Sequence, residues 1–594
     1  MKSVQRILIV AIVLLFARPA AATIAYHISL KDPEQHQFMV SMQIPATAAD
    51  QEIIVAMPAW NALYQVRDFA YRVRDVRASP SASSSGPLSV QKLDKQTWKI
   101  DWSGSASLSA DVTYTIEWND PGPFNSQLNT HHAFVNFAEV LMYVPTRRAE
   151  DATVQFDDVP PGWRAAAELP AGSAANSFTA SSYEKLVDAP AEVGKFDEFD
   201  FDADGAHFRV VVDGKDWRRD KLENYLQRIT KSELQLMGGP PFSEYTFFFH
   251  FGPYPEAGGG GMEHSNCTAI AAPTVESAGA TAAHEFFHLW NVKRIRPQTL
   301  EPVDYTREMY TRALWFAEGV TSTYGAYTLE RTGIWSKDQF YGDLAGQISE
   351  LDSRPARTWQ SVEDSSLDAW LEKYDDYRQP DRSISYYNKG QIAGVLLDLA
   401  IREATDNHKS LDDVMGRMYE VFAKQGRFYD DSQGVEAVAE EVAGVKFGDF
   451  FRRYIAGTDD IPYQDFFNAA GLQLKVEIHK SADLGFWTAG HAPGAPVQVS
   501  QVVPGTPAET AGLKPGDVLL ALNGQPVPPY LPGWLHDRSP GEKITLRVHR
   551  DNKDMDIKFL LGGNDTKRFS IAEMSSINEK QRRIREGWLK GTTN

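Results

Sequence analysis

Residues 283–290 read AHEFFHLW, an H-E-x-x-H pattern inside a segment whose composition favours a helix. One helical turn separates His284 from His288, so both imidazoles point the same way and can bind one Zn²⁺. Glu285 lies about 100° further round the helix, which makes it a poor third ligand and a good general base. The pattern therefore predicts a zinc hydrolase centre, and two histidines on an ordinary helix are the alternative interpretation.

A third metal ligand is expected in the segment 315–321, which reads WFAEGVT. The pattern is helical, and Glu318 is a lone carboxylate among apolar and small residues. A buried carboxylate without a partner is costly, so Glu318 needs a cation, and zinc held by His284 and His288 would supply one. We therefore predict a single Zn²⁺ per chain, with Glu318 as third ligand and an open fourth position.

The composition is that of a large globular protein. At 594 residues, with 42% hydrophobic and 23% charged residues, the chain should form several ordered domains. The net charge of −19 argues against nucleic acid or an anionic membrane surface as partner. Cys267 is the single cysteine, so no internal disulfide can form, and a small buried thiol explains it better than a nucleophile.

The first 22 residues are typical of a secretory signal peptide. Lys2 and Arg6 precede an unbroken apolar run at 7–16, which is too short to span a membrane. The small residues at 20–22 form a cleavage site, and an uncleaved anchor is the alternative. We therefore predict a secreted protein without a membrane span after signal removal, and the bacterial periplasm fits best.

The remaining segments predict a multidomain α+β protein. Residues 23–205 alternate with period two between turn clusters, which indicates a β-sandwich-like domain. Residues 206–465 predict a catalytic domain, with an α/β lobe followed by a helical lobe. Residues 471–563 predict a separate module, and 564–594 a charged tail with a loose helix.

Before the metal helix, residues 258–261 are all glycine and lead into Met262 and Glu263. A backbone without side chains lets a substrate peptide lie alongside as an added strand. Glu263 would lie where that peptide begins, and its carboxylate could accept hydrogen bonds from a protonated α-amine. A flexible surface loop with a solvated Glu263 fits the residues equally well. His264 is expected to be structural.

Residues 386–390 read YYNKG and open a strongly amphipathic helix predicted over 391–403. A tyrosine hydroxyl can donate a hydrogen bond to the oxyanion formed when water attacks a peptide carbonyl. Tyrosines at helix starts are more often packing residues. On the residues alone, the oxyanion role is therefore a minority interpretation for either Tyr386 or Tyr387.

The C-terminal module resembles a PDZ domain over residues 485–563, with GLKPGD at 512–517 as the strongest motif. The resemblance implies a domain that takes an extended peptide or a protein C-terminus as an added strand. It also implies that Gly485 and Phe486 form the loop over the bound carboxylate.

The central motifs resemble those of the gluzincin metallopeptidases. Gly260, Gly261, Met262 and Glu263 are similar to the Gly-x-Met-Glu-Asn element by which aminopeptidases of this clan bind the substrate amine. Residues 387–390, YNKG, are similar to their Tyr-Glu-Lys-Gly element, which carries the oxyanion tyrosine. Together with the β domain and the PDZ-like end, these motifs resemble the PDZ-containing glycyl aminopeptidase family.

The family resemblance implies an aminopeptidase that removes a small first residue, Gly or Ala, from peptides with a free N-terminus. It implies Glu285 and Tyr387 as catalytic residues and Glu263 as the anchor for the amine. Two departures stand out: Glu318 lies 30 residues after His288, a longer interval than in the better-known aminopeptidases, and His264 replaces the Asn of the amine-binding element.

Two other functions fit parts of the sequence. An endopeptidase would use the same metal centre and differ only at Glu263. A non-catalytic adaptor would use the PDZ-like module alone, but the intact set of metal ligands argues against it.

Overall fold

The computed structural model describes residues 23–46, 50–61, 64–81, 86–103, 108–253, 258–489, 497–528 and 531–594. The predicted signal peptide, residues 1–22, lies outside the described residues. Packing divides the chain into two compact units. The first contains residues up to 340 together with 356–461 and 583–594, and the second contains 341–355 and 462–582.

The first unit begins with a β-rich region. Its strands are β1 Ile24–Ser29, β2 Gln37–Pro45, β3 Glu52–Ala56, β4 Val73–Pro80, β5 Val90–Lys92, β6 Thr97–Asp101, β7 Ser109–Glu117, β8 Gln127–Leu128, β9 His132–Val135, β10 Ala152–Asp157, β11 Arg164–Ala167, β12 Ser177–Ala180 and β13 Ala191–Gly194. Two short helices, α1 Phe137–Val140 and α2 Tyr183–Val187, interrupt them.

These strands form three sheets, in the orders β12-β10-β1-β2-β7-β4, β11-β13-β9-β8 and β3-β6-β5. The alternation in the sequence explains the burial: in β2, Phe38, Val40, Met42 and Ile44 are buried and the residues between them are not. The buried faces share one hydrophobic core. This region therefore has the layered β architecture that the period-two pattern predicted.

An α/β lobe follows in the same unit. Its elements are β14 Asp197–Ala203, β15 Ala206–Gly214, α3 Arg219–Met237, β16 Glu244–Phe251, β17 Gly260–Glu263, β18 Cys267–Ala272 and α4 Val275–Phe287. The sheet order is β14-β15-β16-β18-β17, with β15, β16 and β18 parallel and β14 and β17 antiparallel at the edges. Thr274 and Ser277 form a capping box that begins α4, the predicted metal helix.

A helical region follows α4 in the first unit. It starts with a π-helical turn, Trp315–Val320, which continues into α5 Thr321–Arg331. Next comes α6 Lys337–Ser353, which begins in the first unit and continues in the second. The further helices of the first unit are α7 Val362–Leu367, α8 Tyr386–Ala404, α9 Leu411–Val421, α10 Asp431–Ala443 and α11 Gly448–Phe450. The Ser385 side chain caps α8, so both tyrosines of YYNKG lie in its first turn.

The second unit holds the C-terminal module. Its elements are α12 Tyr463–Ala469, β19 Leu472–Asp483, β20 Phe486–Ala489, β21 Gln498–Val502, α13 Pro507–Thr510, β22 Val518–Leu522, α14 Leu531–His536, β23 Lys543–Arg550, β24 Lys553–Leu560 and β25 Gly562–Glu573. Strands β20 to β24 form one sheet in chain order, and β19 pairs with β25 in a separate antiparallel ribbon.

The prediction of a loose helix in the tail is wrong for residues 564–573, which form part of β25. The polar sequence of this strand hid it, because it is held by backbone pairing with β19 rather than by an apolar face. The helix α15 Glu579–Lys590 does follow, and its C-terminal half packs against the protein. Trp588 is 1% exposed, and its indole N–H donates to the Tyr327 hydroxyl at 2.7 Å.

Among the described residues, no helix combines the length and the apolar character that crossing a membrane requires.

Candidate active site

The two histidines of α4 and the glutamate of the π-helical turn converge. The Nε2 atoms of His284 and His288 lie 3.0 Å apart. The Oε2 atom of Glu318 lies 3.1 Å from His288 Nε2 and 3.6 Å from His284 Nε2. Bonds of about 2.0–2.2 Å from one ion to its ligands bring ligand atoms about this close together. The residues present therefore fit a single Zn²⁺.

Glycines make this convergence possible. A Cβ at Gly319 would lie 2.4 Å from the Cα of Gly390, so the π-helical turn and α8 cross in backbone contact. A Cβ at Gly325 of α5 would lie 3.4 Å from the Cα of His284, which shows how closely α5 packs on α4. The small residues therefore bring Glu318 to the histidines across the 30-residue interval that separates it from His288.

The second nitrogen of each imidazole also has a partner. His288 Nδ1 lies 2.6 Å from the backbone oxygen of Asn291, and His284 Nδ1 lies 3.3 Å from Ser322 Oγ. The Ser322 hydroxyl in turn donates to the backbone oxygen of Glu318 at 3.0 Å. With the proton on Nδ1 of each ring, both Nε2 atoms are free to bind a metal.

Sequence reasoning missed these orienting residues. Asn291 also holds the two metal segments together, because its side-chain amide donates to the Phe316 carbonyl at 2.8 Å and to Thr321 Oγ1 at 3.2 Å. A signal was present for Ser322, which follows Glu318 by four positions, a spacing that shares a helix face. Asn291 lies beyond the end of α4 and contacts His288 through its backbone oxygen, so neither helical spacing nor residue type points to it.

Glu285 lies next to the proposed metal ligands. It is 6% exposed, and one of its carboxylate oxygens lies within 4.8 Å of a His288 nitrogen and of a Glu263 oxygen. Burial raises the pKa of the Glu285 carboxyl group to about 8. The positive charge of His288 opposes this rise, and the negative charge of Glu263 adds to it by a smaller amount. A divalent cation bound by His284, His288 and Glu318 would lower this pKa and favour the ionised carboxylate, the form that can accept a proton.

Strand β17 presents Glu263 at the edge of its sheet. A Cβ at Gly261 would lie 2.4 Å from the Glu285 side chain, and Glu263, two residues on, shares that face of the strand. Met262 points the other way and is 3% exposed, so only its backbone is placed to meet a substrate. Gly260 begins the strand at a φ of +100°, a conformation that favours glycine.

The two tyrosines at the start of α8 differ in exposure. The Tyr387 ring is 38% exposed, and its centroid lies 6.2 Å from that of His284. The Tyr386 ring is 3% exposed and packs against Tyr387. Desolvation, followed by the negative charge of Glu318, raises the pKa of Tyr387 well above its usual value. The Tyr387 hydroxyl therefore keeps its proton, and the Tyr387 ring is the more exposed of the two and lies beside His284.

His264 and Cys267 lie apart from the metal ligands. His264 is 1% exposed and its Nδ1 lies 3.5 Å from Asp188, whose carboxylate also accepts from Lys293 at 2.7 Å. Cys267 is buried in β18, and burial raises the pKa of its thiol well above the usual value. A protonated, enclosed thiol is a poor nucleophile.

In the C-terminal module, Gly485 adopts a φ of +74° just before β20. Its amide already donates to Asp483 Oδ1 at 3.1 Å, and the Phe486 side chain is 6% exposed. Strand β20 is an edge strand of its sheet. The edge of β20 is thus better placed to receive a peptide than the Gly485 amide is.

An H-E-x-x-H helix that meets a glutamate from a following helical segment defines a metallopeptidase of the gluzincin type. Residues 278–393 match the family model for the M61 glycyl aminopeptidase, and residues 25–195 match the peptidase M61 N-terminal domain. Residues 498–550 match a PDZ domain. These matches confirm the predicted resemblance to the M61 glycyl aminopeptidase family.

A solved structure resembles nearly all of the chain. It is an aminopeptidase N family protein from Idiomarina loihiensis, 23% identical, with a TM-score of 0.82, and the match covers 96% of this chain and 100% of that one. At this identity the likeness concerns the fold. Together with the N-terminal and PDZ matches it confirms the predicted multidomain α+β class.

Relatives of a different class match only a short part of the chain. A probable periplasmic serine endoprotease, DegP-like, from Hahella chejuensis is 39% identical over 66 residues. The periplasmic serine endoprotease DegP of Escherichia coli K12 is 38% identical over 65 residues. In each case the match covers 11% of this chain and 14% of the relative, so the chain spans a small fraction of these relatives.

Proposed function

We propose that this protein is a secreted zinc aminopeptidase that removes a small first residue, glycine or alanine, from peptides. The observation that carries the proposal is the convergence of two imidazoles and a carboxylate, at His284, His288 and Glu318, beside the carboxylates of Glu263 and Glu285. The match of residues 278–393 to the M61 glycyl aminopeptidase model supports the reaction type.

Two imidazoles and one carboxylate form a donor set that zinc takes in catalytic sites with an open fourth position. Zinc bound by His284, His288 and Glu318 would polarise the scissile carbonyl and acidify the attacking water. Glu285 accepts the proton of that water and passes it to the leaving amine. Tyr387 donates a hydrogen bond to the carbonyl oxygen as negative charge develops on it.

Glu263 gives the proposed enzyme its preference for a free N-terminus. A carboxylate beside the attacking group accepts charge-assisted hydrogen bonds from the protonated α-amine. The outer edge of β17 pairs with the substrate backbone, with Gly260, Gly261 and Met262 offering their main-chain groups. The peptide then lies with its first carbonyl next to Glu285.

The size of an adjoining cavity supports a small first residue. The cavity has a volume of about 80 Å³, and its lining includes Trp60, Tyr64, Met262, Glu263 and Tyr305. A cavity of about 150 Å³ holds a benzene ring. The smaller space therefore favours glycine or alanine over an aromatic first residue.

Two further parts of the proposal concern place and partner. The first 22 residues have the character of a signal peptide, and the short relatives are periplasmic proteins by name, which supports a periplasmic location. The PDZ match and the edge position of β20 support binding of a peptide or of a protein C-terminus there, near Gly485 and Phe486.

The proposed function is tested with a panel of aminoacyl p-nitroanilides, each with a free and an N-acetylated amine. We expect release from the glycine and alanine substrates to exceed that from leucine and phenylalanine, and to stop when a chelator removes the metal. The N-acetylated forms should not react. Equal cleavage of blocked substrates would favour the endopeptidase, and full activity in the chelator would contradict a metal-dependent enzyme.

Replacement of Glu263 by glutamine should weaken recognition of the free amine and leave the metal centre loaded. Hydrogen bonds to charged groups contribute about 1.5–3 kcal/mol, which corresponds to a roughly 10- to 150-fold fall in kcat/KM for glycine p-nitroanilide. Steady-state kinetics and zinc content measure the two effects. An unchanged kcat/KM would show that another group binds the amine.

Replacement of Tyr387 by phenylalanine should lower kcat by about 10²–10³, the usual effect of removing one donor to an oxyanion. Tyr386→Phe is the matched control, because it removes the same hydroxyl from the adjacent, buried ring. We expect the control to keep most of the activity. A larger loss in Tyr386→Phe than in Tyr387→Phe would assign the oxyanion role to Tyr386 instead.

A further inference from the structure

A second cluster of histidine and carboxylate side chains lies far along the chain from the H-E-x-x-H motif. His132 begins β9, Glu192 lies on β13 and His250 lies near the end of β16. In the sheet register Gly194 of β13 pairs with His132, and Asp213 of β15 pairs with His250. The cluster therefore joins a sheet of the N-terminal β region to the sheet of the α/β lobe.

The possible ligand atoms of His132, Glu192 and His250 all lie within 4.8 Å of one another. His132 Nδ1 lies 2.9 Å from Glu192 Oε1, and His250 Nε2 lies 3.0 Å from Glu192 Oε2. Asp213 Oδ2 lies 3.7 Å from His132 Nδ1. Ligand atoms around a tetrahedral zinc ion are about 3.3 Å apart, so the spacing suits one ion.

The surroundings hold these side chains in place. His132, Glu192 and His250 are 7%, 1% and 6% exposed. A Cβ at Gly194 would lie 3.1 Å from the His132 Cβ and 3.4 Å from Glu192 Oε1, so the glycine leaves the two side chains their space.

A neighbouring amide sets the His132 ring for binding through Nδ1. Its Nε2 lies 3.1 Å from Gln127 Oε1, and the Gln127 amide nitrogen donates to Asn119 Oδ1 at 3.1 Å. The second bond fixes the Gln127 oxygen towards the histidine, where it accepts the Nε2 proton. Metal-binding histidines commonly donate their other N–H in this way.

An ion can reach the cluster from solvent. His132, His250 and Asp213 line a cavity of about 760 Å³, and the Asp213 side chain is 32% exposed. Two imidazoles with two carboxylates suit a first-row divalent ion such as zinc, whereas calcium and magnesium prefer oxygen ligands alone. The carboxylates would balance the two charges of the ion.

We propose that His132, Glu192 and His250, with Asp213 as fourth ligand, bind a second Zn²⁺ that ties the N-terminal β region to the α/β lobe. This site is independent of the proposed catalysis. The same side chains can also form a chain of hydrogen bonds with no ion, so the experiment has to separate these two states.

The test counts zinc ions in the full-length protein after equilibration in buffered zinc and gel filtration. We expect two ions in the wild type, one in His288→Gln and one in His250→Gln. His207→Gln is the matched control, since His207 also has a carboxylate partner, Asp202 at 3.0 Å, but lies on the surface, and it should keep two. Zinc-free His288→Gln, or two ions in His250→Gln, would overturn the proposal.

Two measurements keep the test valid if His250→Gln folds poorly. Anomalous scattering at the zinc edge from wild-type crystals should give a peak between His132 Nδ1 and His250 Nε2, and an empty map there contradicts the site. Gln127→Leu should retain the fold and lower the affinity for the second ion by about 10- to 100-fold. An unchanged affinity for the second ion in this variant would contradict the assigned ligand geometry.

Discussion

Replacement of Glu318 by glutamine is expected to abolish activity by emptying the catalytic metal centre. The substitution keeps the shape of the side chain and removes the charge 3.1 Å from His288 Nε2. Removing a residue that hydrogen-bonds to a metal ligand already lowers the affinity for the metal by about 10- to 100-fold. Removing a direct ligand should therefore lower the affinity for zinc by more than about 100-fold. Zinc titration against a competing chelator measures this loss.

The control for Glu318→Gln is Glu139→Gln. Glu139 is an equally buried carboxylate of the β-rich region, held by Arg67 at 2.9 Å and by Ser126 at 2.9 Å. This variant should bind zinc and cleave glycine p-nitroanilide like the wild type, even if it is less stable. Should Glu318→Gln retain tight zinc and full turnover, the third ligand would have to be sought elsewhere.

The part of the site that the sequence predicts best is the part encoded locally. His284 and His288 lie one turn apart in sequence, and this spacing places both side chains on one side, where their Nε2 atoms lie 3.0 Å apart. Glu318 could be inferred because a lone carboxylate in an apolar segment needs a cation. The family matches support this reading, and the individual ligand roles stay predictions.

Other features depend on how distant segments meet, and the sequence could not supply them. Tyr386 and Tyr387 differ by about 100° around the helix axis, and only the orientation of α8 decides which of them is exposed. His132, Glu192 and His250 have no common spacing, since sheet register alone brings them together. Strand β25 was missed because it lacks an apolar face, and the predicted domain boundaries stay predictions.

Replacement of Glu285 by glutamine is expected to leave zinc bound and to lower kcat by about 10²–10⁴, the usual contribution of a general base. The side chain borders the metal ligands without belonging to them, and the Gly261 backbone packs so closely that glutamine must take the same position. In Glu285→Gln, activity therefore falls while the affinity for zinc is unchanged. In Glu318→Gln, by contrast, activity is lost because zinc is lost.

This difference is what identifies Glu285 as the base. Zinc content, kcat and KM are measured on the same preparation, with Glu139→Gln as the control for loss of a buried carboxylate. KM for glycine p-nitroanilide should change little, because the amine is bound by Glu263 and the metal remains in place. A variant that kept near-normal kcat with full zinc would move the role of base to another group, and Glu263, within 4.8 Å of the Glu285 carboxylate, would be the next to test.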